Sequence, residues 1–196
     1  MRVGLFFGSY NPVHTGHMVI ANYMANCTDL HQVWMVVSPH NPFKKRSNLA
    51  NDYDRLHLVN LAIGENPRLR SSNLEFNLPK PSYTIDTLTY LAEKYPEHQF
   101  VLIMGGDNLA TIEKWKNFDR ILNDYDIYVY KRSGDGAPQE RYTRVTYFDD
   151  VPLLQISSTY IRDQIKQERS IQYLVPDAVF SYLENSTMYK QRGEKT

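Results

Sequence analysis

The stretch "RVGLFFGSYNPVHTGH", residues 2–17, decides the fold because an apolar run gives way to a turn and then to a helix. The run Arg2–Phe7 predicts a buried strand. Gly8 predicts the sharp turn that ends this strand, and Pro12 fixes φ just before a helix that begins near His14. A strand that leads directly into a helix is typical of alternating α/β proteins, so we expect a parallel sheet.

The rest of the chain repeats this alternation. Further strands are predicted at Gln32–Val37, Leu69–Phe76, Phe100–Met104, Asp126–Tyr130 and Val145–Phe148. Helices are predicted at Thr15–Asn26, Asp54–Ile63, Tyr83–Tyr95, after Gly105-Gly106-Asp107, near Thr159–Glu168 and at Pro176–Glu184. Short, continuously apolar strands between helices predict one doubly wound, Rossmann-like α/β domain over residues 1–189, with helices on both faces and a small helical C-terminal part. Residues 190–196 are expected to form a flexible tail.

Composition narrows the class of protein. The chain of 196 residues has 22 basic and 22 acidic side chains, and this balance argues against a nucleic-acid partner. Cys27 is the only cysteine, which excludes an intrachain disulfide and a multi-cysteine zinc site. No apolar window approaches the length of a membrane span, so we expect a cytoplasmic protein without a membrane partner. A homo-oligomer is compatible with this composition.

The segment from Gly8 to His17 has the features of a phosphate site. His14 and His17 are three residues apart and share a face in the first turn of the helix. The helix start adds unpaired amide N–H groups and the positive end of the dipole, while Gly8 lets a ligand approach the backbone. The alternatives are that both histidines only cap the helix, or that they bind a metal. Because no cysteine or carboxylate ligand is near, the spacing is a poor zinc pattern.

A second anion site is predicted near the end of the chain. The segment "ISSTYIRDQI", Ile156–Ile165, places three hydroxyl residues where a helix N-cap belongs and Arg162 one turn further on. Such a cap with an arginine is common, and it indicates a polyphosphate site only together with the first motif. The P-loop pattern and the GxGxxG dinucleotide pattern are both absent.

Together, the two motifs resemble the nucleotidylyltransferase superfamily, whose members have an HxGH element early and an ISSTxxR element late. Here these are His14–His17 and Ile156–Arg162. Within the superfamily the chain is most similar to the bacterial nicotinate-nucleotide adenylyltransferases. Three more segments support this, namely "SPHNPFKK" (Ser38–Lys45), "PSYTIDTL" (Pro81–Leu88) and "GGDNLATIEKWKNF" (Gly105–Phe118).

The resemblance implies an enzyme that transfers the adenylyl group of ATP to nicotinate mononucleotide. The products are nicotinate adenine dinucleotide and pyrophosphate, in the biosynthesis of NAD. Mg²⁺ is expected to bind through the ATP phosphates, without protein ligands. The implied catalytic residues, which contact the phosphates and steady the departing pyrophosphate, are His14, His17 and Arg162. The implied ATP contacts are Gly8, Ser9, Tyr10, His14, His17, Ser157, Ser158, Thr159 and Arg162.

The resemblance also implies a set of mononucleotide contacts. Tyr83 and Thr84 would recognise the nicotinate carboxylate, and Trp115 would stack on the pyridine ring. Asp107 would hold a ribose. The remaining contacts, Lys44 and Arg132, would reach a phosphate.

Two departures from the family pattern leave alternatives open. The loop after the second strand has Phe43 before Lys44, where the family usually has a histidine, and the opening turn reads Ser9-Tyr10-Asn11. These departures leave the contacts of the loop after the second strand open. Separately, composition does not settle the acceptor, whose alternatives to nicotinate mononucleotide are nicotinamide mononucleotide, phosphopantetheine and a flavin mononucleotide. A non-catalytic nucleotide sensor with the same fold is a further alternative, against which the intact histidine pair argues.

Overall fold

The computed structural model describes residues 1–39, 49–131 and 142–190. Within these residues, six parallel strands form one sheet in the order β3-β2-β1-β4-β5-β6. The strands are β1 (Arg2–Gly8), β2 (Gln32–Val37), β3 (Leu69–Ser72), β4 (Gln99–Gly105), β5 (Asp126–Tyr130) and β6 (Val145–Phe148). The order reverses between β1 and β4, which makes the carboxyl ends of these two strands the switch point where such sheets bind ligands. The predicted doubly wound α/β fold is confirmed.

Helices cover both faces of this sheet. The α-helices in the described part of the chain are α1 (Thr15–Cys27), α2 (Asp52–Ile63), α3 (Thr84–Lys94), α4 (Gly106–Leu109), α5 (Phe118–Asp124), α6 (Ser158–Lys166) and α7 (Asp177–Glu184). Two 3₁₀ turns, Leu74–Asn77 and Ile112–Lys114, lie between them. None of the helices among the described residues is long and apolar enough to cross a membrane. Apart from Lys190, the predicted tail lies outside the described residues.

The two faces of the sheet form two separate hydrophobic clusters. Successive residues of β1 point to opposite faces, so that Leu5 packs with the cluster of α3 and α5 while Phe6 packs with that of α1, α2, α6 and α7. Leu5, Leu88 of α3 and Leu58 of α2 have no more than a trace of exposed surface. A strand buried on both sides needs apolar residues at every position, which explains the continuous apolar run of β1.

The prediction and the structure differ at one strand and at one helix. The strand expected over Leu69–Phe76 ends at Ser72, and the chain continues as the 3₁₀ turn Leu74–Asn77. Ser72 Oγ accepts a hydrogen bond from the N–H of Leu74 at 3.4 Å, which closes the turn. Apolar spacing alone cannot distinguish this turn from a longer strand. Helix α5 is absent from the prediction, because its seven residues show only a short apolar pattern. In the structure it begins after Asn117, which has a left-handed backbone conformation (φ 50°).

Candidate active site

The turn after β1 is shaped by a buried tyrosine. Tyr10 has φ 44°, is 1% exposed, and donates a hydrogen bond from its hydroxyl to the carbonyl of Phe6 at 2.6 Å. A Cβ on Gly8 would lie 2.7 Å from the Tyr10 ring. Position 8 therefore requires glycine because the Tyr10 ring packs against it. From the sequence, a different reason is expected, namely the close approach of a ligand to the backbone. Because Tyr10 is buried, its predicted contact with ATP would need a local movement.

The two histidines cap helix α1 reciprocally. His14 is the N-cap residue, and its Nδ1 accepts a hydrogen bond from the N–H of His17 at 3.4 Å. In return, Nδ1 of His17 accepts from the N–H of His14 at 3.2 Å, and the two rings stack with centroids 3.6 Å apart. Since backbone amides only donate, a neutral imidazole in either position has its proton on Nε2. From the sequence, capping is an alternative to ligand binding. In the structure the two are compatible, because capping through Nδ1 orients both rings with Nε2–H as the remaining donor.

Part of the predicted backbone anion site is already used within the protein. The N–H of Thr15 donates to the carbonyl of Leu174 at 3.0 Å, and the N–H of His17 is occupied by His14. The Thr15 hydroxyl donates to the carbonyl of Tyr173 at 3.3 Å. The start of α1 therefore offers fewer backbone donors than the motif predicts, so donors for an anion must come mainly from side chains.

The late motif is in direct contact with the first one. Ser158 donates from its hydroxyl to the carbonyl of Pro12 at 2.9 Å. Arg162 donates from Nη1 to the carbonyl of Asn11 at 2.8 Å and from Nη2 to Thr159 Oγ1 at 3.2 Å. Ser157 caps α6 by accepting from the N–H of Tyr160. The structure therefore brings the HxGH and ISSTxxR elements together, with the guanidinium of Arg162 held beside the turn.

A buried arginine that the sequence does not single out supports this turn. Arg55 of α2 is 0% exposed, and its Nη1 donates to the carbonyls of Ser9 and Ser38, the second at 3.0 Å. Its Nε donates to the carbonyl of Ala50 at 3.1 Å, and its Nη2 pairs with Asp52 at 2.7 Å. One guanidinium thus joins the end of β1, the end of β2 and the start of α2, which a fork of donors can do and a single ammonium cannot.

A tyrosine near the end of the described chain also contacts the turn. The hydroxyl of Tyr189 donates to Asn11 Oδ1 at 2.9 Å, and the same oxygen accepts from the N–H of Ala50 at 3.1 Å. Burial raises the pKa of Tyr189 above its ordinary value, while the nearby cations Arg55 and Arg162 act in the opposite direction. Nothing in the sequence pattern around Tyr189 predicts this contact, because it depends on how the C-terminal segment folds back.

We expect Tyr189→Phe to lower stability by about 1 kcal/mol at neutral pH, since it removes one hydrogen bond to a buried amide. The folded protein favours the protonated phenol, so the stabilisation from burial of Tyr189 is complete below the ordinary pKa of 10.0 and is lost as pH rises above it. The variant should therefore lose less stability than the wild type in that alkaline range. Urea denaturation at neutral and alkaline pH measures both effects. The control is Tyr160→Phe, which changes an exposed tyrosine and should move neither.

A cavity of about 410 Å³ opens on the other side of the turn, at the carboxyl ends of β1 and β4. Five predicted site residues line it, namely Gly8, Ser9, Tyr83, Thr84 and Trp115. The other lining residues are Phe6, Phe7, Ser38, Glu75, Ser82, Leu102, Ile103, Met104, Asn108, Lys114, Lys116, Ile121 and Tyr130. A cavity of this size, mostly apolar with a few polar groups, suits a small organic ligand that has polar substituents.

The remaining predicted contacts lie elsewhere or outside the described residues. Asp107 is exposed on α4, next to the cavity residue Asn108, and is not itself part of the cavity lining. Lys44, Phe43 and Arg132 fall in segments that the structure does not describe.

The cavity has two lysines at its rim. Lys116 pairs with Asp86 of α3 at 2.8 Å and lies over the ring of Tyr83, 4.9 Å from its centroid. Lys114 is the second lysine, and the buried Glu75 is the acidic residue among the lining side chains that the structure describes. Burial raises the pKa of the Glu75 carboxyl and so disfavours its charged form. Because Asp86 offsets the charge of Lys116, the preference of the cavity for a ligand with a negative substituent rests mainly on Lys114.

Comparison with known proteins agrees with the fold and the paired motifs. The model of the cytidylyltransferase-like family matches residues 5–164. The probable nicotinate-nucleotide adenylyltransferases of Flavobacterium psychrophilum and Cytophaga hutchinsonii are 48% and 53% identical to this chain. The first alignment covers 97% of this chain and 100% of the relative, and the second covers 91% and 93%.

A solved structure shows the same fold at much lower identity. The nicotinic acid mononucleotide adenylyltransferase of Plasmodium falciparum, in complex with NaAD, superposes with a TM-score of 0.83 at 17% identity. This match covers 96% of the present chain and 97% of the Plasmodium chain. Fold, motifs and relatives define a nucleotidyltransferase. Within that class, the chain belongs to the nicotinate-nucleotide adenylyltransferase family.

Proposed function

We propose that this protein transfers the adenylyl group of ATP to nicotinate mononucleotide, a step in the biosynthesis of NAD. The proposal rests on the position of the turn after β1. On one side this turn accepts hydrogen bonds from Arg162 and Ser158, and on the other side its residues Gly8 and Ser9 line the cavity. A triphosphate on the first side and a pyridine mononucleotide on the second would meet at this turn. The relatives named nicotinate-nucleotide adenylyltransferase support the same pair of substrates.

The chemistry needs no nucleophile from the protein. A phosphate oxygen of the mononucleotide attacks the α-phosphorus of ATP in line, and the bond from that phosphorus to the bridging oxygen breaks. Its electron pair leaves with pyrophosphate, so negative charge grows on the bridging and β-phosphate oxygens. Donors fixed in advance at that place stabilise the transition state more than the ground state. We assign this role to the Nε2–H groups of His14 and His17 and to the guanidinium of Arg162.

The proposed reaction would use Mg²⁺ held by the phosphates of ATP, and the ion would supply charge neutralisation there. Mg²⁺ keeps water and phosphate oxygens as ligands and does not require a cage of protein carboxylates. Among the residues that the structure describes, no group of three or more His, Cys, Asp or Glu side chains is placed to hold a metal.

Recognition of the mononucleotide is assigned to the cavity. We propose that Trp115 stacks on the pyridine ring and that the segment at Tyr83 and Thr84 contacts the ring carboxylate. The rim lysines, and mainly Lys114, would favour the carboxylate over the neutral amide. The assignments of Asp107 to a ribose and of Lys44 and Arg132 to a phosphate stay predictions.

Pyrophosphate release from Mg-ATP, measured in parallel with nicotinate mononucleotide and nicotinamide mononucleotide, tests the proposal. We expect strong turnover with the acid and weak turnover with the amide, because only the acid offers a charge to the lysine rim. Equal rates would keep the reaction class and contradict the proposed selectivity. If neither mononucleotide supports pyrophosphate release, the next acceptor to test is phosphopantetheine, followed by the alternative of a non-catalytic sensor.

A glycine in α1 gives a sharper test of the histidine geometry. A Cβ on Gly16 would lie 3.1 Å from Nδ1 of His14 and 3.2 Å from its Cε1, so the ring must shift by a few tenths of an ångström. We expect Gly16→Ala to lower the rate of pyrophosphate release on the order of 10-fold, because catalytic groups tolerate little displacement. The change in stability should be small, since alanine favours a helix over glycine by up to about 1 kcal/mol while the displaced His14 ring weakens the cap of α1. Full activity in the folded variant would contradict the role given to His14.

A further inference from the structure

A buried carboxyl lies behind the wall of the cavity. Glu75, on the 3₁₀ turn Leu74–Asn77, is 2% exposed, and its Oε1 accepts a hydrogen bond from Thr87 Oγ1 at 2.8 Å. Its Oε2 is buried and has no hydrogen-bond partner of acceptable geometry among the described residues, and the same is true of the hydroxyl oxygen of Ser82. Buried polar atoms without partners are costly in a folded protein, so they require an explanation.

Glu75 is connected to the segment assigned to the mononucleotide. The Thr87 hydroxyl that donates to Glu75 also lies 3.5 Å from the carbonyl of Tyr83. Ser82 immediately precedes Tyr83. Burial raises the pKa of the Glu75 carboxyl, whereas the hydroxyls of Thr87, Ser38 and Ser82 lower this pKa. The carboxyl therefore lies between the end of β2 and the first turn of α3, beneath the cavity wall.

Although Glu75 is one of the residues that line the cavity, it is only 2% exposed, its Oε2 is buried and its Oε1 accepts from Thr87. An action of Glu75 on a ligand must therefore pass through the residues that contact it. No lysine or arginine among the described residues forms an ion pair with Glu75. The titratable or charged side chains that line the same cavity are Tyr83, Lys114, Lys116 and Tyr130.

We propose that Glu75 is a positioning residue for the mononucleotide, which sets the placement of Tyr83 and Thr84 through Thr87 and Ser82. The inference rests on the proposed function, because it takes the cavity as the mononucleotide site. A protonated carboxyl fits the cluster without an uncompensated charge. Among the described residues, the groups that offset the charge of ionised Glu75 are the hydroxyls of Thr87, Ser38 and Ser82 and no cation, so we expect the cluster to rearrange or admit water when the carboxyl ionises. The affinity for the mononucleotide should accordingly fall as pH rises through the raised pKa of Glu75.

Two valine substitutions on α3 form a matched test. Thr87→Val removes the hydroxyl that joins Glu75 to Tyr83, whereas Thr89→Val removes a hydroxyl that donates to the carbonyl of Ile85 at 2.9 Å on the same helix. We expect Thr87→Val to raise the KM for nicotinate mononucleotide about fivefold, the effect of one hydrogen bond, with the KM for ATP unchanged. Thr89→Val should change neither constant. Thermal denaturation of both variants reports any general loss of structure.

Substitutions of Glu75 itself test the role of its charge. Glu75→Ala should raise the KM for the mononucleotide as Thr87→Val does. Glu75→Gln should restore it, because the amide oxygen can still accept from Thr87. Calorimetric binding of nicotinate mononucleotide across a pH series should show affinity falling with pH in the wild type more steeply than in Glu75→Gln. Titration of the mononucleotide phosphate and of the lysines affects both proteins equally, so their difference isolates Glu75.

The outcomes separate the inference from the proposed function. An active wild type whose Thr87→Val variant keeps both KM values, or raises both equally, would overturn the positioning role. So would identical pH profiles for the wild type and Glu75→Gln. A wild type that neither binds nor turns over nicotinate mononucleotide would instead overturn the proposed function. If Glu75→Ala fails to fold, the comparison of the two threonine variants decides.

Discussion

Replacing His17 by alanine should lower the rate of pyrophosphate release by about 10²–10³-fold, the usual cost of removing one donor from a charge-stabilising site. The imidazole has two functions in the structure, since its Nδ1 caps the N–H of His14 and its Nε2–H is the proposed donor to phosphate. The substitution should therefore also destabilise the protein by about 1 kcal/mol, as loss of a helix cap does. Steady-state kinetics and urea denaturation measure the two losses separately.

A second variant and a remote histidine distinguish these functions. His17→Gln preserves an acceptor that can reach back to the N-cap N–H, as glutamine does at this helix position in capping boxes. It should restore stability without restoring the rate. The control is His31→Ala, because Nδ1 of His31 likewise accepts from a backbone N–H, that of Arg2 at 3.1 Å, at the opposite end of β1. Normal activity in folded His17→Ala would refute the assignment of its imidazole to the phosphates.

Replacing Arg55 by methionine should destabilise the protein by about 3–5 kcal/mol, because three backbone carbonyls lose their hydrogen-bond donor at a cost of about 1–3 kcal/mol each. The carbonyls of Ser9, Ser38 and Ala50 are partly buried, and the variant leaves them beside an apolar side chain that offers no donor. Activity should fall as well, even at temperatures where the variant is folded, because Ser9 lines the cavity and belongs to the turn that Arg162 contacts. Denaturant unfolding and pyrophosphate release measure the two effects.

Two further arginine variants make this prediction specific. Arg55→Lys should recover little of the loss, since one ammonium cannot reach carbonyls that two different guanidinium nitrogens now contact. Arg120→Met serves as the control, because Arg120 is 60% exposed and its ion-pair partner among the described residues is Asp124, at 3.5 Å. Exposed pairs contribute about 0–1 kcal/mol. A stability of Arg55→Met within that range of the wild type would contradict the role given to Arg55.

The parts of the fold that the sequence predicts best are the buried strands. Gln32–Val37 and Asp126–Tyr130 have the same bounds in the prediction and in the structure, because a continuous apolar run bounded by polar residues has few other solutions. The segment from residue 69 was predicted as too long a strand, since side-chain spacing does not show where hydrogen bonding to a neighbouring strand stops. Pairing of β3 with β2 ends at Ser72, and only the folded chain determines that point.

The site divides in the same way. His14, His17 and Arg162 lie in contiguous patterns whose spacing has a chemical meaning, so one sequence suffices to propose them. Arg55 and Glu75 have no such pattern, and each would pass for a solvated charge in a polar stretch. Their importance comes from burial and from partners distant in the chain, which a single sequence does not contain.

The contacts of Ser158 and Arg162 with the turn at Asn11 and Pro12 also have a consequence for biosynthesis on the ribosome. The hydrogen bonds join residues that are 146 and 151 positions apart in the chain. The turn after β1 therefore cannot form these contacts until one of the last segments has been translated. Loop closure over such a separation is slow compared with local folding. When strands β1 to β5 have left the ribosome, the nascent chain can form much of the sheet before Arg162 has been translated. Premature termination before α6 would accordingly yield a polypeptide without the proposed contacts of Arg162 to ATP.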